Sequence, residues 1–199
     1  ELRLAGLRIN PKKNIGSRIT YYNNVKIKNL KSKNPEINDI IGIPNNPLIA
    51  NINWSPNQKN IAFTNTSSDG VRLWVLNLES RSLTKLSDLK LNSNIGDVIN
   101  WVNDNEIIVK VIPENKQNLI DQDGIVPMGP TISSNEGENA QNRTYQDLLK
   151  NKTDEFNFEQ LVTSDLYLIN LNGKTQKWLD ADMYTSISPS PDGNFIMVR

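Results

Sequence analysis

A six-residue pattern closing on Asn-Leu occurs three times in this chain, as Val25-Lys-Ile-Lys-Asn-Leu30, Leu73-Trp-Val-Leu-Asn-Leu78 and Leu166-Tyr-Leu-Ile-Asn-Leu171. The first two copies are 48 residues apart, and the third follows 93 residues after the second. A second marker keeps the same phase. It reads Trp54-Ser-Pro-Asn-Gln-Lys-Asn-Ile-Ala-Phe63, recurs weakly as Trp101-Val-Asn-Asp-Asn-Glu-Ile-Ile108, and returns as Pro189-Ser-Pro-Asp-Gly-Asn-Phe-Ile196. A repeat of 40 to 50 residues built from short strands is the pattern of propeller blades, each a four-stranded antiparallel sheet. The expected fold class is therefore all-β: an open run of about three propeller blades with a partly helical insertion. A plain antiparallel sandwich with coincidental Asn-Leu endings is the alternative, and the phased copies of two separate markers weigh against it.

The boundaries follow from the phase. Blade segments are expected at about 1–48, 49–96 and 97–183, with the start of a further blade at 184–199. In the clearest blade, Ile49 to Trp54 reads as the inner strand, Ser55-Pro-Asn-Gln58 as a turn and Asn60 to Asn65 as the second strand. Pro and Asn favour turn positions, and Ser67-Ser-Asp-Gly70 supplies the next hairpin. Val71 to Leu78 and Leu83 to Leu86 complete the sheet. Trp54, Trp74, Trp101 and Trp178 fall at strand positions and are expected in blade cores. The third blade carries about 40 extra residues, an insertion spanning 112–163. Its proline and glycine content predicts irregular chain, followed by short helices over Arg143–Lys150 and Asp154–Leu161.

Composition excludes several function classes. The chain has no histidine and no cysteine, so neither a Ser-His-Asp or Cys-His device nor an imidazole or thiolate metal site can be assembled from it. No Gly-x-Ser-x-Gly occurs. No catalytic residue, metal site or cofactor is expected within these residues. Twenty-two basic and 22 acidic side chains leave no net charge, against the basic excess usual in a nucleic-acid binder. No apolar run reaches the roughly 18 residues of a membrane span. Glu1 is not an initiator Met, and Arg199 falls within an apolar alternation, so both ends read as cut. Missing cysteine leaves the compartment undetermined.

Several segments, in this order, carry a family likeness: Gly6-Leu-Arg-Ile-Asn10, Ser17-Arg18 with Tyr21-Tyr22, the Trp54-Ser-Pro turn, Val126-Pro-Met-Gly-Pro130 and Arg143-Thr-Tyr-Gln-Asp-Leu-Leu-Lys150. Together they resemble the N-terminal propeller of the prolyl oligopeptidase family of serine peptidases, nearest the glutamyl endopeptidase type. The resemblance implies a substrate-gating propeller, peptide substrates, and a partner α/β-hydrolase domain on the same parent chain. That domain would carry the Ser, Asp and His of the triad. It also implies a bacterial periplasmic or secreted setting, or an organellar one. If the parent cleaves after Glu, a cation must meet the substrate carboxylate, and a bidentate arginine suits that geometry. Arg143 is the first candidate, set against an intrahelical pair with Asp147 or a pair with Glu155. Arg8 and Arg18 are further candidates in matching segments. Asp154, Glu155 and Glu159 could receive a substrate amino terminus, or serve only the start of a helix. Asp121-Gln-Asp-Gly124 lacks the rest of a calcium loop and reads as a turn. The rival from another class is a TolB-like propeller without catalysis that binds a protein partner, and the long insertion separates the two.

Overall fold

A computed structural model describes residues 1–31, 33, 37–121, 137 and 147–199. The first strands, β1 (Leu2–Leu4), β2 (Leu7–Asn10) and β3 (Ile15–Gly16), form a three-stranded sheet. Next, β4 (Ile27–Lys28) pairs with β5 (Ile37–Asn38). A complete antiparallel meander follows: β6 (Ile49–Trp54), β7 (Asn60–Ser67), β8 (Gly70–Asn77) and β9 (Ser82–Lys85). The second meander consists of β10 (Ile99–Trp101), β11 (Glu106–Val111), β12 (Ser164–Asn170) and β13 (Thr175–Asp182), with helix α1 (Lys152–Val162) between β11 and β12. A hairpin of β14 (Ile187–Pro189) and β15 (Ile196–Val198) closes the described chain. The described residues are all-β with one short helix, and their sheets form an open stack consistent with part of a propeller.

Both sequence markers have a physical cause. At the end of each Asn-Leu copy, the Asn side chain accepts a backbone N–H just beyond it. Asn29 Oδ1 receives Lys31, Asn77 Oδ1 receives Ser80 and Asn170 Oδ1 receives Asn172, at 3.0, 2.9 and 3.1 Å. Such Asx turns stop a strand and begin the reversal. The Leu N–H then pairs back across the sheet, from Leu78 to Lys59 O and from Leu171 to Asn105 O, both at 3.0 Å. In the second marker, Ser55 N–H donates to Asn60 O while Ser55 Oγ accepts from Asn60 N–H, both at 2.9 Å. Ser190 repeats this with Phe195, at 2.7 and 3.0 Å. The middle copy has no serine and closes one residue sooner, through Val102 N–H to Glu106 O.

The two four-stranded sheets stack with their neighbours because each carries apolar side chains on both faces. Ala62, Leu73 and Val75 of one meander meet Val98, Ile99, Trp101, Ile107 and Val109 of the next. On the opposite face, Ile61, Phe63 and Leu76 meet Val25, Ile27, Ile40 and Ile43. Beyond the second meander, Ile108 and Leu166 pack against Ile187, Ile196 and Val198. Leu91 joins the two meanders by bridging Val71 and Val111.

Two expectations need correction. Trp101 is buried at 7% exposure, its Nε1–H donating to Asn53 O at 3.1 Å, and Trp74 and Trp178 are partly buried. Trp54, however, is 54% exposed. It stands opposite Ile61 at the end of β6, whereas Ile49 at the start of the same strand is buried in the cluster with Val25, Ile27, Ile40 and Ile43. The helix expected over Arg143–Lys150 is also not formed in its later part. Arg143 to Gln146 lie outside the described residues, while Asp147 has φ of +59° and Leu148 to Lys150 are non-helical. The local hydrogen bonds run the other way: Lys150 N–H donates to Asp154 Oδ2, and Asn151 Oδ1 accepts from Asp154 N–H, both at 2.8 Å. Asn151 thus caps α1 from an extended backbone, and the residues before it cannot continue a helix.

Candidate functional site

The expected cations divide into three cases. Arg143 lies outside the described residues, as do Val126–Pro130 and the end of Asp121-Gln-Asp-Gly124. Arg18 is exposed and makes no ion pair among the described residues. Arg8 is the one the fold places in a defined arrangement.

That arrangement starts from the first hairpin. Ala5 and Gly6 both take positive φ, 48° and 77°, which gives the tight two-residue turn that matches strand twist. The turn fixes the register, with Leu2 opposite Ile9, Arg3 opposite Arg8 and Leu4 opposite Leu7. Alternation then turns Leu4 and Ile9 inward, where they pack with Leu161 and Phe158 of α1. Arg3 and Arg8 occupy the other face. Ser17 comes next in the row, since its N–H donates to Arg8 O at 2.8 Å. All three side chains converge on the Glu1 carboxylate. Arg3 Nε and Arg8 Nη1 each donate to Oε1 at 3.2 Å, and Ser17 Oγ donates to Oε2 at 3.0 Å. The Ser17 hydrogen bond foremost, then the arginines, outweigh partial desolvation and hold the Glu1 carboxyl below the usual carboxylate range. Arg3 and Ser17 escape a reading based on residue type alone. The mirrored pattern Leu-Arg-Leu around Ala5-Gly6 is the signal that locates Arg3.

Two of the acidic candidates, Asp154 and Glu155, lie in the first turn of α1. Asp154 is part of the α1 cap, and Glu155 pairs with Lys152 at 2.6 Å. The helix also anchors the insertion to the blades. Asn157 both donates to and accepts from the Ile120 backbone, at 2.9 and 2.8 Å. Asn92 donates to Leu161 O and Thr163 O, each at 2.9 Å, and Asn94 donates to Leu161 O at 2.7 Å.

A cleft of about 460 Å³ opens beside β12 and β13, lined by Glu114, Asn115, Asp165, Tyr167, Lys177 and Asp180. Lys177 Nζ lies 2.9 Å from both Asp165 and Asp180, and these carboxylates, Asp165 first, push the ammonium pKa up. Lys177 thus holds its proton and offers charge rather than base chemistry. A second perturbed group, Lys110, is buried at 1% exposure, and its ammonium donates to Ile95 O and to Tyr184 O. Burial pushes its pKa down to about 8, partly offset by Asp97. Its two acceptors belong to the loop before β10 and the segment before β14, so Lys110 fastens adjacent sheets. Among the described residues no acidic cluster could hold a metal ion. The arrangement can bind charge and position chain.

No protein-family model matches the chain. It is similar over its whole length to two curated proteins. One is named probable glutamyl endopeptidase, chloroplastic, from Oryza sativa subsp. japonica, at 35% identity over 211 residues. The other bears the same name, from Arabidopsis thaliana, at 32% identity over 210 residues. The alignment covers 100% of this chain but only 22% of either relative. The likeness to the glutamyl endopeptidase type read from the motifs is thus matched by the names of these relatives.

Proposed function

We propose that this chain is the substrate-gating propeller portion of a glutamyl endopeptidase-like serine peptidase. The observation that carries the reading is the similarity to the two plant proteins across all of the chain, insertion included. The stacked four-stranded meanders support it, since such sheets bury both faces only by adding neighbours around an axis. In this reading the bond-breaking groups lie in an α/β-hydrolase portion outside these residues. There a serine attacks the peptide carbonyl, a histidine takes and returns the proton, and an aspartate orients the histidine. The blades shield that site, so that only peptides and unfolded segments reach it. Arg143, Arg8 and Arg18 are the cations proposed to meet acidic substrates.

Labelling the natural protein that carries these residues with an active-serine phosphonate, followed by peptide mapping, tests the assignment. The account expects one labelled serine, outside the 199 residues, and loss of peptide hydrolysis on labelling. A natural protein that neither reacts nor hydrolyses peptides would favour the partner-binding propeller instead.

A further inference from the structure

In both complete meanders the Asn-Leu copy ends the third strand, β8 or β12, and each of these strands is paired on both sides. The first copy falls on β4, and β5 follows it as β9 follows β8. By the phase of the repeat, β4 and β5 are thus the third and fourth strands of a blade whose first two strands are missing among the described residues. The chain just before β4 does not supply them. β1, β2 and β3 form a sheet of their own, held against α1 through Leu4 and Ile9. The N–H and C=O of Tyr22 are both engaged with Ile49, at 2.9 Å each, which fixes the approach to β4 beside β6. The edge of β4 that would meet a second strand has no ladder partner among the described residues. Leu30 bears the same mark. Leu78 and Leu171 donate back to the residue just before the second strand, Lys59 or Asn105, and pack against the cores. Leu30 is 85% exposed and makes no such bond among the described residues.

We infer that β4 and β5 are the outer half of a composite blade, whose inner two strands come from a later segment of the parent chain, beyond residue 199, and close the ring of blades. The inference rests on the propeller part of the reading above and on the length of the relatives, of which this chain spans only 22%. It does not need the peptidase chemistry. The incoming segment is a hairpin of the β14–β15 kind, since the second marker joins first to second strands at β6–β7, β10–β11 and β14–β15. The sheet it enters also fixes its pattern. Val25 and Ile27 face Ile61, Phe63 and Leu76, while Lys26 and Lys28 are exposed on the other side. Lys26 has a long ion pair with Asp39, at 3.7 Å, and Lys28 has none among the described residues. The strand beside β4 therefore alternates apolar side chains next to Val25 and Ile27 with acidic or hydroxyl ones next to the lysines. A blade shared between early and late strands puts hydrogen bonds across the seam of the ring and removes its open edge.

The test uses the natural full-length protein with photoreactive p-benzoylphenylalanine placed at Leu30, which is exposed and outside the described cores. Irradiation is expected to join position 30, within one molecule, to a residue beyond 199 that follows a turn and precedes a strand, as Lys59 and Asn105 do. Hydrogen exchange of the unaltered protein gives a second readout, in which the amides of residues 25–30 should exchange within about tenfold of those in β8. Capture of nothing beyond residue 199 in the same molecule overturns the inference, and so does capture only of a second copy. Exchange at 25–30 faster than that margin also overturns it. Active-serine labelling of the same preparations separates the two readings. Capture as described without a labelled serine leaves the closure standing and ends the peptidase reading. A labelled serine with no capture beyond residue 199 ends the closure and leaves the peptidase reading standing.

Discussion

Raising the pH from 7 to 9 should strengthen this fold through Lys110. Its ammonium is buried beneath the junction of two sheets, and burial lowers its pKa from 10.5 to about 8. In the unfolded chain the same group titrates near the ordinary lysine value of about 10.4. A lysine whose folded pKa is depressed destabilises the fold while it is charged in both states, which is the condition below pH 8. The full cost there is about 3 kcal/mol, from roughly 1.36 kcal/mol for each unit of difference. Between pH 8 and about 10.5 the folded protein has released the proton and the unfolded chain has not, so stability rises with pH at a little over 1 kcal/mol per unit. From pH 7 to pH 9 the expected gain is about 1.3 kcal/mol. Lys116, whose pKa burial also lowers, acts in the same direction, so a control is needed. Lys110→Met keeps the length of the side chain and removes the titration. It also leaves Ile95 O and Tyr184 O without their donor, so the variant is expected to be less stable overall and to show a flatter pH profile. Urea unfolding followed by tryptophan fluorescence at pH 7, 8 and 9 measures both profiles. An unaltered protein whose stability is flat or falling over this range, or the same slope in Lys110→Met, would refute the reasoning.

Asn92→Ala should cost about 2 kcal/mol, because two amide hydrogen bonds to the end of α1, one buried and one partly buried, are lost, and hydrogen exchange should accelerate first near Leu161 to Ser164. Trp101→Ala should cost about 3–5 kcal/mol, whereas Trp54→Ala should change stability by less than about 0.5 kcal/mol, as denaturation midpoints of the two variants will show. Gly96→Ala should prevent normal seating of β14 against β10, since the added Cβ would collide with Thr185 O, at a φ of +53°. Loss of the cooperative unfolding transition would report it.

The blade pattern was legible because its markers are local chemistry. Asn77 and Asn170 close turns with their own side chains, and Ser55 and Ser190 hold the same hydrogen-bonded reversal, so each repeat states its geometry within a few residues. What the sequence hid is non-local. The exposure of Trp54 depends on which strands face the inner edge of its sheet, and periodicity within β6 carries no information about that. The helix pattern of Arg143–Lys150 lost to capping, because Asn151 and Asp154 commit the backbone just after it to the start of α1. Lys110 reads as an ordinary charged residue breaking an apolar run, and only the approach of Ile95 and Tyr184 makes it a buried fastening. The cluster on Glu1 was half visible. Arg8 and the Ser17-Arg18 segment stood out by resemblance, but Arg3, and the meeting of Arg3, Arg8 and Ser17 on one carboxylate, enter only once the Ala5-Gly6 turn sets the register across three strands.

The most direct test of the central claim compares two substrates of the natural protein: a short glutamate-containing peptide, and the same sequence displayed in a loop of a stable folded protein. The account predicts cleavage of the peptide after glutamate and at least a hundredfold slower cleavage of the folded substrate, with the difference lost once that substrate is unfolded. Equal rates on folded and unfolded forms would contradict a gating role for these blades, and no cleavage of either would contradict the peptidase assignment itself.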